Sequence, residues 1–376
     1  MDAIDNKVLV IRIEKVEKHP NADRLDLVHV HGWQCVAQKG TFKAGGLAVY
    51  VPVDSVLPPG LEARIFPEGS KIKLTKSRIK TIKLRGAISQ GMVLSVEDMF
   101  SFYDGSDLSE GDDVTELLGI THYEPPAPEP SMRGDQVSKK KKNRLFPVYH
   151  KISHFKNYPD LFEEGEDVVV TEKIHGTNFR AGWAPMLADS WWKKVKKFFG
   201  YLRKWEFVVG SHQVQINIEK NWKGFYPTNV YAQAVIDYNL KDVIPFGYII
   251  YGEIYGDGIQ KGYHYGCEDG HRELRIFDVL VTAGPSEELQ GYLSWGAVTA
   301  IAEIICVPTV PVIYQGPYRK ELVKDWESGH SQLCPTQKHR EGIVVKPRME
   351  QVTWIGRKIL RSINPEYLLR SESDFH

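Results

Sequence analysis

VVVTEKIHGTNFR, residues Val168 to Arg180, opens on three β-branched residues and closes on a polar, mixed-charge run. A β-branched run favours a strand, so Lys173 is expected at a strand end. Gly176, three residues later, leaves room for backbone to approach a ligand closely. A lysine presented in this way suits nucleophilic or phosphate-binding chemistry. On an alternating strand, Glu172 points to the opposite side from Lys173. K-x-x-G alone equally describes an exposed lysine followed by a turn, so the flanking segments must decide.

Three later segments are apolar and strand-like but carry charge: YIIYGEIYG (Tyr248 to Gly256), RIFDV (Arg275 to Val279) and EGIVVKP (Glu341 to Pro347). Glu253 and Glu341 each sit beside a glycine in otherwise apolar surroundings. A carboxylate there is costly unless it is paired or binds a metal. Two carboxylates suit a hydrated divalent ion with a preference for oxygen. Tyr231 to Asp242 and Tyr292 to Ile304 carry helical patterns. No βαβ run with a glycine-rich fingerprint and no fixed repeat is present. The expected class is α+β with antiparallel sheet.

EKIHGTNF resembles the first motif of the covalent nucleotidyltransferases, specifically the ATP-dependent RNA ligases. YIIYGEIYG resembles their third motif, RIFDV the aromatic motif that follows, and EGIVVKP their fourth. The motifs occur in the family's order, and the resemblance spans about residues 146–370. It implies three steps: a lysine attacks the α-phosphorus of ATP, AMP moves to a 5′-phosphate, and a 3′-OH displaces AMP. By this resemblance Lys173 is the nucleophile, Glu172 holds the adenine side, Asn178 contacts the ribose, Arg180 contacts phosphate and Phe277 stacks on adenine. Glu253 and Glu341 would hold Mg²⁺ or Mn²⁺. The family closes its site with a pair of lysines, and no K-x-K is present here. Lys346 and Lys358 are the candidates, with Arg361 beside them in GRKILRSINPEYLL. His212 stands in VVGSHQ where the family commonly has arginine. An ordinary lysine, with a pKa of about 10.4, is protonated at neutral pH; cations, a metal ion and burial would each lower it.

Residues 1–120 read as short apolar runs (Val8 to Val16, Leu25 to Val30, Gln34 to Ala37, Leu47 to Pro52) separated by Gly40, Gly45, Gly46 and Pro58-Pro59-Gly60. Such spacing predicts a small barrel or sandwich. EKHPNADRLDLVHV and KLRGAISQGMVLS resemble OB-fold modules of tRNA-binding proteins. Residues 121–144 hold four prolines and then a basic run from Lys139 to Arg144, which reads as a solvated linker. The expected organisation is an all-β OB-fold barrel (1–120), the linker, and an antiparallel-sheet, ATP-grasp-like adenylyltransferase domain (145–376). An OB module ahead of a ligase domain resembles the group of RNA ligases that seal nicks in duplexes during RNA repair. A DNA ligase, an mRNA capping enzyme and a non-catalytic RNA-binding protein are the alternatives, and the intact Lys173, Glu253 and Glu341 oppose the last.

Lys plus Arg and Asp plus Glu are both 48 in 376 residues, so the formal charge is zero. Bulk positive charge is excluded as a means of gripping nucleic acid, but charge is segregated. Lys71 to Arg85 holds seven basic residues and no acid, and WWKKVKKFFGYLRKW (Trp191 to Trp205) has basic and aromatic faces. The first is an expected contact to RNA or a nicked duplex; the second could grip duplex phosphate, dock on the OB module or lie on a membrane, with nucleic acid the first choice. No apolar run is long enough to cross a membrane, and the start of the chain lacks signal-peptide character. Cys35, Cys267, Cys306 and Cys334 are scattered without a C-x-x-C pair, so neither a zinc framework nor disulfides are expected. His29 and His31 are expected on one face of a strand. A cytoplasmic monomer is the expectation.

Overall fold

The computed structural model describes residues 6–70, 74–96, 108–123, 143–186, 205–218, 226–282 and 290–369. Most of the expected linker (124–142), the first residues of the basic run (71–73) and nearly all of the basic aromatic segment (187–204) lie outside the described residues. The chain divides into two compact units, one of residues 1–126, 153–160 and 363–376, the other of 127–152 and 161–362. The expected linear boundaries do not coincide with these units, because two later pieces belong to the first of them.

The first unit is built on two three-stranded antiparallel sheets, Leu9–Arg12, Leu47–Val51 and Met92–Ser95 in one, Lys15–Lys18, Leu25–Val30 and Trp33–Gln38 in the other. This is an OB-fold region arranged as separate short sheets, not the closed barrel expected from the spacing. The strand Leu47–Val51 serves two cores, because alternate residues face opposite ways. Val49 and Val51 pack with Val8, Val10, Leu57, Leu61 and Leu94. Ala48 and Tyr50 pack with Ile11, Ile13, Val28, Val30 and Cys35. The Pro-Pro-Gly read as a turn starts a helix, Pro59–Ile65, with proline at its first positions, where the missing N–H is no loss. His31 is not on the strand with His29 but in the following turn, with φ 47°. Within the basic run, Arg78 is buried against Asp54 (Nε–Oδ1 2.8 Å) and lies 3.7 Å from the Tyr123 ring centroid. It therefore holds the fold, while Lys76, Lys83 and Arg85 are exposed.

The second unit consists mainly of two antiparallel sheets. One orders Leu360–Ile363, Gly342–Pro347, Asp167–Lys173 and Val312–Pro317. The other has six strands: Gln215–Ile216, Trp205–Gly210, Thr177–Pro185, Tyr248–Gly256, Arg272–Val281 and Gly291–Tyr292. The segment from Tyr248 to Gly256 is one of these strands entire, that from Arg275 to Val279 lies inside a longer one, and Glu341 stands just before the strand Gly342–Pro347. The helical pattern from Tyr231 is broken: Val230–Asp237 and Leu240–Val243 flank Asn239, at φ 48°. Asparagine tolerates this left-handed conformation and ends the first helix there. The second helix spans Trp295–Ile304, and Tyr292 ends the six-stranded sheet instead of starting the helix. No helix among the described residues is long and apolar enough to cross a membrane.

Candidate active site

Lys173 is the last residue of a strand in one sheet, and Thr177 is the first residue of a strand in the other. Only Ile174, His175 and Gly176 connect them. The sharp crossing is possible because Gly176 has no side chain: a Cβ there would lie 2.2 Å from the Ile254 carbonyl oxygen and 2.9 Å from Glu253 Cγ. With the glycine in place, its N–H donates to Glu253 Oε1 at 3.2 Å.

Register brings the carboxylates to this turn. Lys173 pairs with Gly342, so Glu341 stands beside Lys173, and Lys173 Nζ donates to Glu341 Oε1 at 2.5 Å. Asn178 pairs with Glu253 on the adjacent strand, which puts both on one sheet face. Three polar atoms, Glu341 Oε2, Asn178 Oδ1 and Glu172 Oε1, are buried without a hydrogen-bond partner. Burial raises the Glu253 pKa to about 8; Lys173 opposes that rise and the Glu341 charge adds to it. A carboxyl that resists ionisation beside a second carboxylate, with Glu341 Oε2 and Asn178 Oδ1 unsatisfied, fits a divalent oxygen-seeking cation. Glu253 and Glu341 are the residues able to hold it.

The other expected residues are dispersed. Glu172 points away from Lys173 and accepts from Gln332 N at 2.7 Å. Burial raises its pKa despite that bond and the nearby Arg340. Arg180 is buried, donating to Ser211 O and Phe146 O at 2.9 Å each, so its guanidinium is spent on the fold. His212 adjoins Ser211, and its surroundings together with the Arg180 charge lower its pKa. Lys358 pairs with Glu166 at 2.8 Å. Glu166 precedes the strand that ends in Lys173, roughly 23 Å away at about 3.3 Å per residue, so the structure does not bring Lys358 to Lys173. Arg361 lies on the strand Leu360–Ile363 with Nε buried and unpartnered.

Phe277 occupies an irregularity in its strand, the extra residue opposite Tyr251 and Gly252. It is two residues from Arg275, the cross-strand partner of Glu253, and so shares the Glu253 face. Behind it is a charged cluster with no local sequence signal. Asp278 is fully buried, accepting from Tyr149 Oη and Arg357 Nη1 at 2.7 Å each. Lys346 Nζ is 3.9 Å from Asp278 Oδ1 and donates to Phe277 O at 3.0 Å. Burial works to raise the Asp278 pKa, but Lys346, Arg357 and Tyr149 outweigh it and hold the carboxyl low. Burial lowers the Lys346 pKa against the pull of Asp278. Lys346 is thus a buried structural cation beside Phe277, four residues along its strand from Gly342, the partner of Lys173.

His150 borders this cluster with both ring nitrogens buried and unpartnered. Burial, then Arg357, lower its pKa to about 4. The unfolded chain takes up this proton near pH 6.5, whereas the folded chain does so only near pH 4. Stability is therefore lost as pH falls through that window. A His150→Phe variant should show a shallower loss of melting temperature between pH 6.5 and pH 4 than the parent; an unchanged slope would assign the effect elsewhere.

Residues 166–360 match the family model for RNA ligase. The chain belongs to the RNA ligase family. Residues 7–96 of this ligase match an OB-fold domain model. Among solved structures, its fold is shared by Naegleria gruberi RNA ligase in several states, each 22% identical. A lysine-to-alanine variant with ATP and Mn gives a TM-score of 0.69 over 96% of this chain and 98% of that one. The ligase with PPi gives 0.68 over 97% and 98%. A lysine-to-methionine variant with AMP and Mn gives 0.68 over 96% and 98%. No curated protein matches the chain.

Sequence reasoning missed two groups in the ligase site. His175, inside the quoted first motif, lies with Nδ1 3.8 Å from Glu341 Oε2. Tyr265 accepts from His175 N at 2.8 Å, and Gln260 donates to Gly176 O at 2.8 Å. The histidine was visible beside the lysine. Its supports come from a loop some 90 residues later, and no pattern links the two.

Proposed function

We propose that this ligase uses ATP to join a 3′-OH RNA end to a 5′-phosphate end at nicks in duplexes, as RNA repair requires. The observation that carries this reading is Lys173 Nζ, held 2.5 Å from Glu341 Oε1 on a turn that also binds Glu253. Lys173 gives up a proton, which Glu341 Oε1 is placed to take, and attacks the α-phosphorus of ATP. The N–P bond forms and pyrophosphate leaves. An oxygen of the RNA 5′-phosphate then attacks the AMP phosphorus and releases Lys173. Finally the 3′-OH attacks the activated 5′-phosphorus and releases AMP.

Mg²⁺ or Mn²⁺ bound by Glu253 and Glu341 would offset negative charge on the transferring phosphate. Asn178 Oδ1, unpartnered on the same face as Glu253, is assigned to the nucleotide ribose, and Phe277 to the adenine face. Glu172, Arg180, Lys346 and Lys358 are assigned to holding the two sheets' elements in place, since each is committed to protein partners. Arg361, with its unpartnered Nε, is the remaining cation for phosphate, and His212, whose pKa is lowered, is assigned there as a neutral hydrogen-bonding ring.

The test uses nicked duplexes that differ only in ribose or deoxyribose at the 3′-OH end. The proposal expects sealing of the ribose end to exceed the other by at least about tenfold, the effect of roughly 1.4 kcal/mol. Equal sealing of both would contradict it.

A further inference from the structure

Residues 257–271, which connect the Glu253 strand to the Arg272–Val281 strand, have no part in the chemistry above. Here the fold gathers what the sequence scatters. Cys267, His271 and Glu273 offer a sulfur, a ring nitrogen and a carboxylate oxygen, all within 4.8 Å of one another. His271 Nε2 and Glu273 Oε1 are 3.5 Å apart. Tetrahedral zinc, with bonds of about 2.0–2.3 Å, places its donors roughly 3.3–3.8 Å apart. The histidine and glutamate already have that spacing, and the cysteine needs a movement of about 1 Å to match it.

The surroundings hold these ligands as a metal site requires. Glu273 Oε2 accepts from Tyr255 Oη at 2.5 Å and from Arg275 Nη2 at 3.3 Å. This fixes the carboxylate and leaves Oε1 toward His271, the outer bonding that orients metal ligands. Two left-handed pairs, Tyr265-Gly266 and Asp269-Gly270, curl the loop. It is tied by Asp257 N to His271 O (3.0 Å) and by Gly270 N to Asp257 Oδ2 (2.9 Å). Gly256 lies at φ 121°, and a Cβ there would be 2.6 Å from His271 O and 3.1 Å from Cys267 Cβ. Backbone strain and close packing are thus spent on bringing Cys267 and His271 together. Cys334 and His264 line the same cavity of about 500 Å³ as Cys267, and a Cβ on Gly266 would lie 3.5 Å from Cys334 Sγ.

We propose that Cys267, His271 and Glu273, with a water as fourth ligand, form a zinc site separate from the catalytic metal. Sulfur and imidazole donors select zinc over Mg²⁺ and Mn²⁺, which prefer oxygen. The site closes the base of the loop whose Tyr265 and Gln260 support His175 and Gly176. Zinc therefore stabilises the nucleophile turn from behind, without touching substrate.

The test is metal content of the full chain, a readout independent of RNA sealing. After reconstitution and removal of free metal, elemental analysis should find about one zinc per chain, and cobalt substitution should give thiolate-to-metal charge-transfer absorption. Cys267→Ser and His271→Ala should each lower zinc affinity by at least about tenfold, while Cys306→Ser, at an exposed cysteine away from the cluster, should not. If Cys267→Ser fails to fold, the cobalt spectrum of the parent and the exposed His271 variant still decide. Less than about 0.1 zinc per reconstituted chain, a parent without the charge-transfer band, or a Cys267–Cys334 disulfide in the native protein would overturn the proposal.

Discussion

A Gly176→Ala enzyme should lose about 3 kcal/mol of stability and at least a hundredfold in sealing rate. The added Cβ would meet the Ile254 carbonyl oxygen at 2.2 Å and the Ile254 carbonyl carbon at 3.0 Å. Both belong to the backbone of an inner strand of the six-stranded sheet, paired on each side, so they cannot yield. The turn must move instead. Its N–H bond to Glu253 is lost, and the lysine shifts relative to the carboxylates. A displacement of about 1 Å at a reacting group is enough for a hundredfold loss. Thermal unfolding and a sealing assay check both effects. Gly296→Ala is the matched control: Gly296 lies in the helix Trp295–Ile304 with open space at its Cβ position, and alanine there should be neutral or slightly stabilising. Parent-like stability and rate in Gly176→Ala would show that the close approach is not required.

The second large effect is expected at Asp278, whose carboxylate is fully buried among Tyr149, Arg357 and Lys346. Removing one member of a buried ion cluster strands the rest and costs about 3–5 kcal/mol. Arg357 retains Glu350, with contacts of 2.5 and 2.7 Å, so Asp278→Ala should fall at the lower end. The stranded group is Lys346, whose pKa burial already lowers. Without Asp278 it has more reason to shed its proton, and the neutral amine is cheaper to bury. The stability gap to the parent should therefore narrow as pH rises, because the unfolded chain holds the lysine proton longer than the folded one. Denaturant titrations at pH 6 and pH 9 test this, and a gap that is constant or grows with pH would count against the cluster.

Lys173, Glu253 and Glu341 were legible as candidates because each sits in a short segment whose local pattern is unusual. Lys173 follows a β-branched run, and Glu253 and Glu341 interrupt apolar strands beside glycine. Their convergence comes from strand pairing across 168 and 77 positions, which the family resemblance implied and no local pattern did. The place of Lys358 was not legible. It follows the fourth motif closely in sequence, but an antiparallel return carries it to Glu166, at the far end of the strand that ends in Lys173. Arg180 and Arg78 read as free cations, yet each is buried on protein acceptors, which a charge pattern does not reveal. Asp278 and Arg357 meet across 79 positions, and the Cys267, His271 and Glu273 cluster depends on left-handed turns. Neither leaves a periodicity to read. In the first unit, strand positions followed from alternation and turn glycines, while closure did not, since it depends on which short strands pair.

The central claim is that Lys173 becomes covalently attached to AMP. Its most direct test is incubation of AMP-free protein with α-labelled ATP and Mg²⁺ or Mn²⁺, followed by denaturation and counting of protein-bound label. Label is expected on the parent from ATP but not from GTP, and none on a folded Lys173→Ala variant. Equal label on that variant, or no label on the parent with either metal, would contradict that claim.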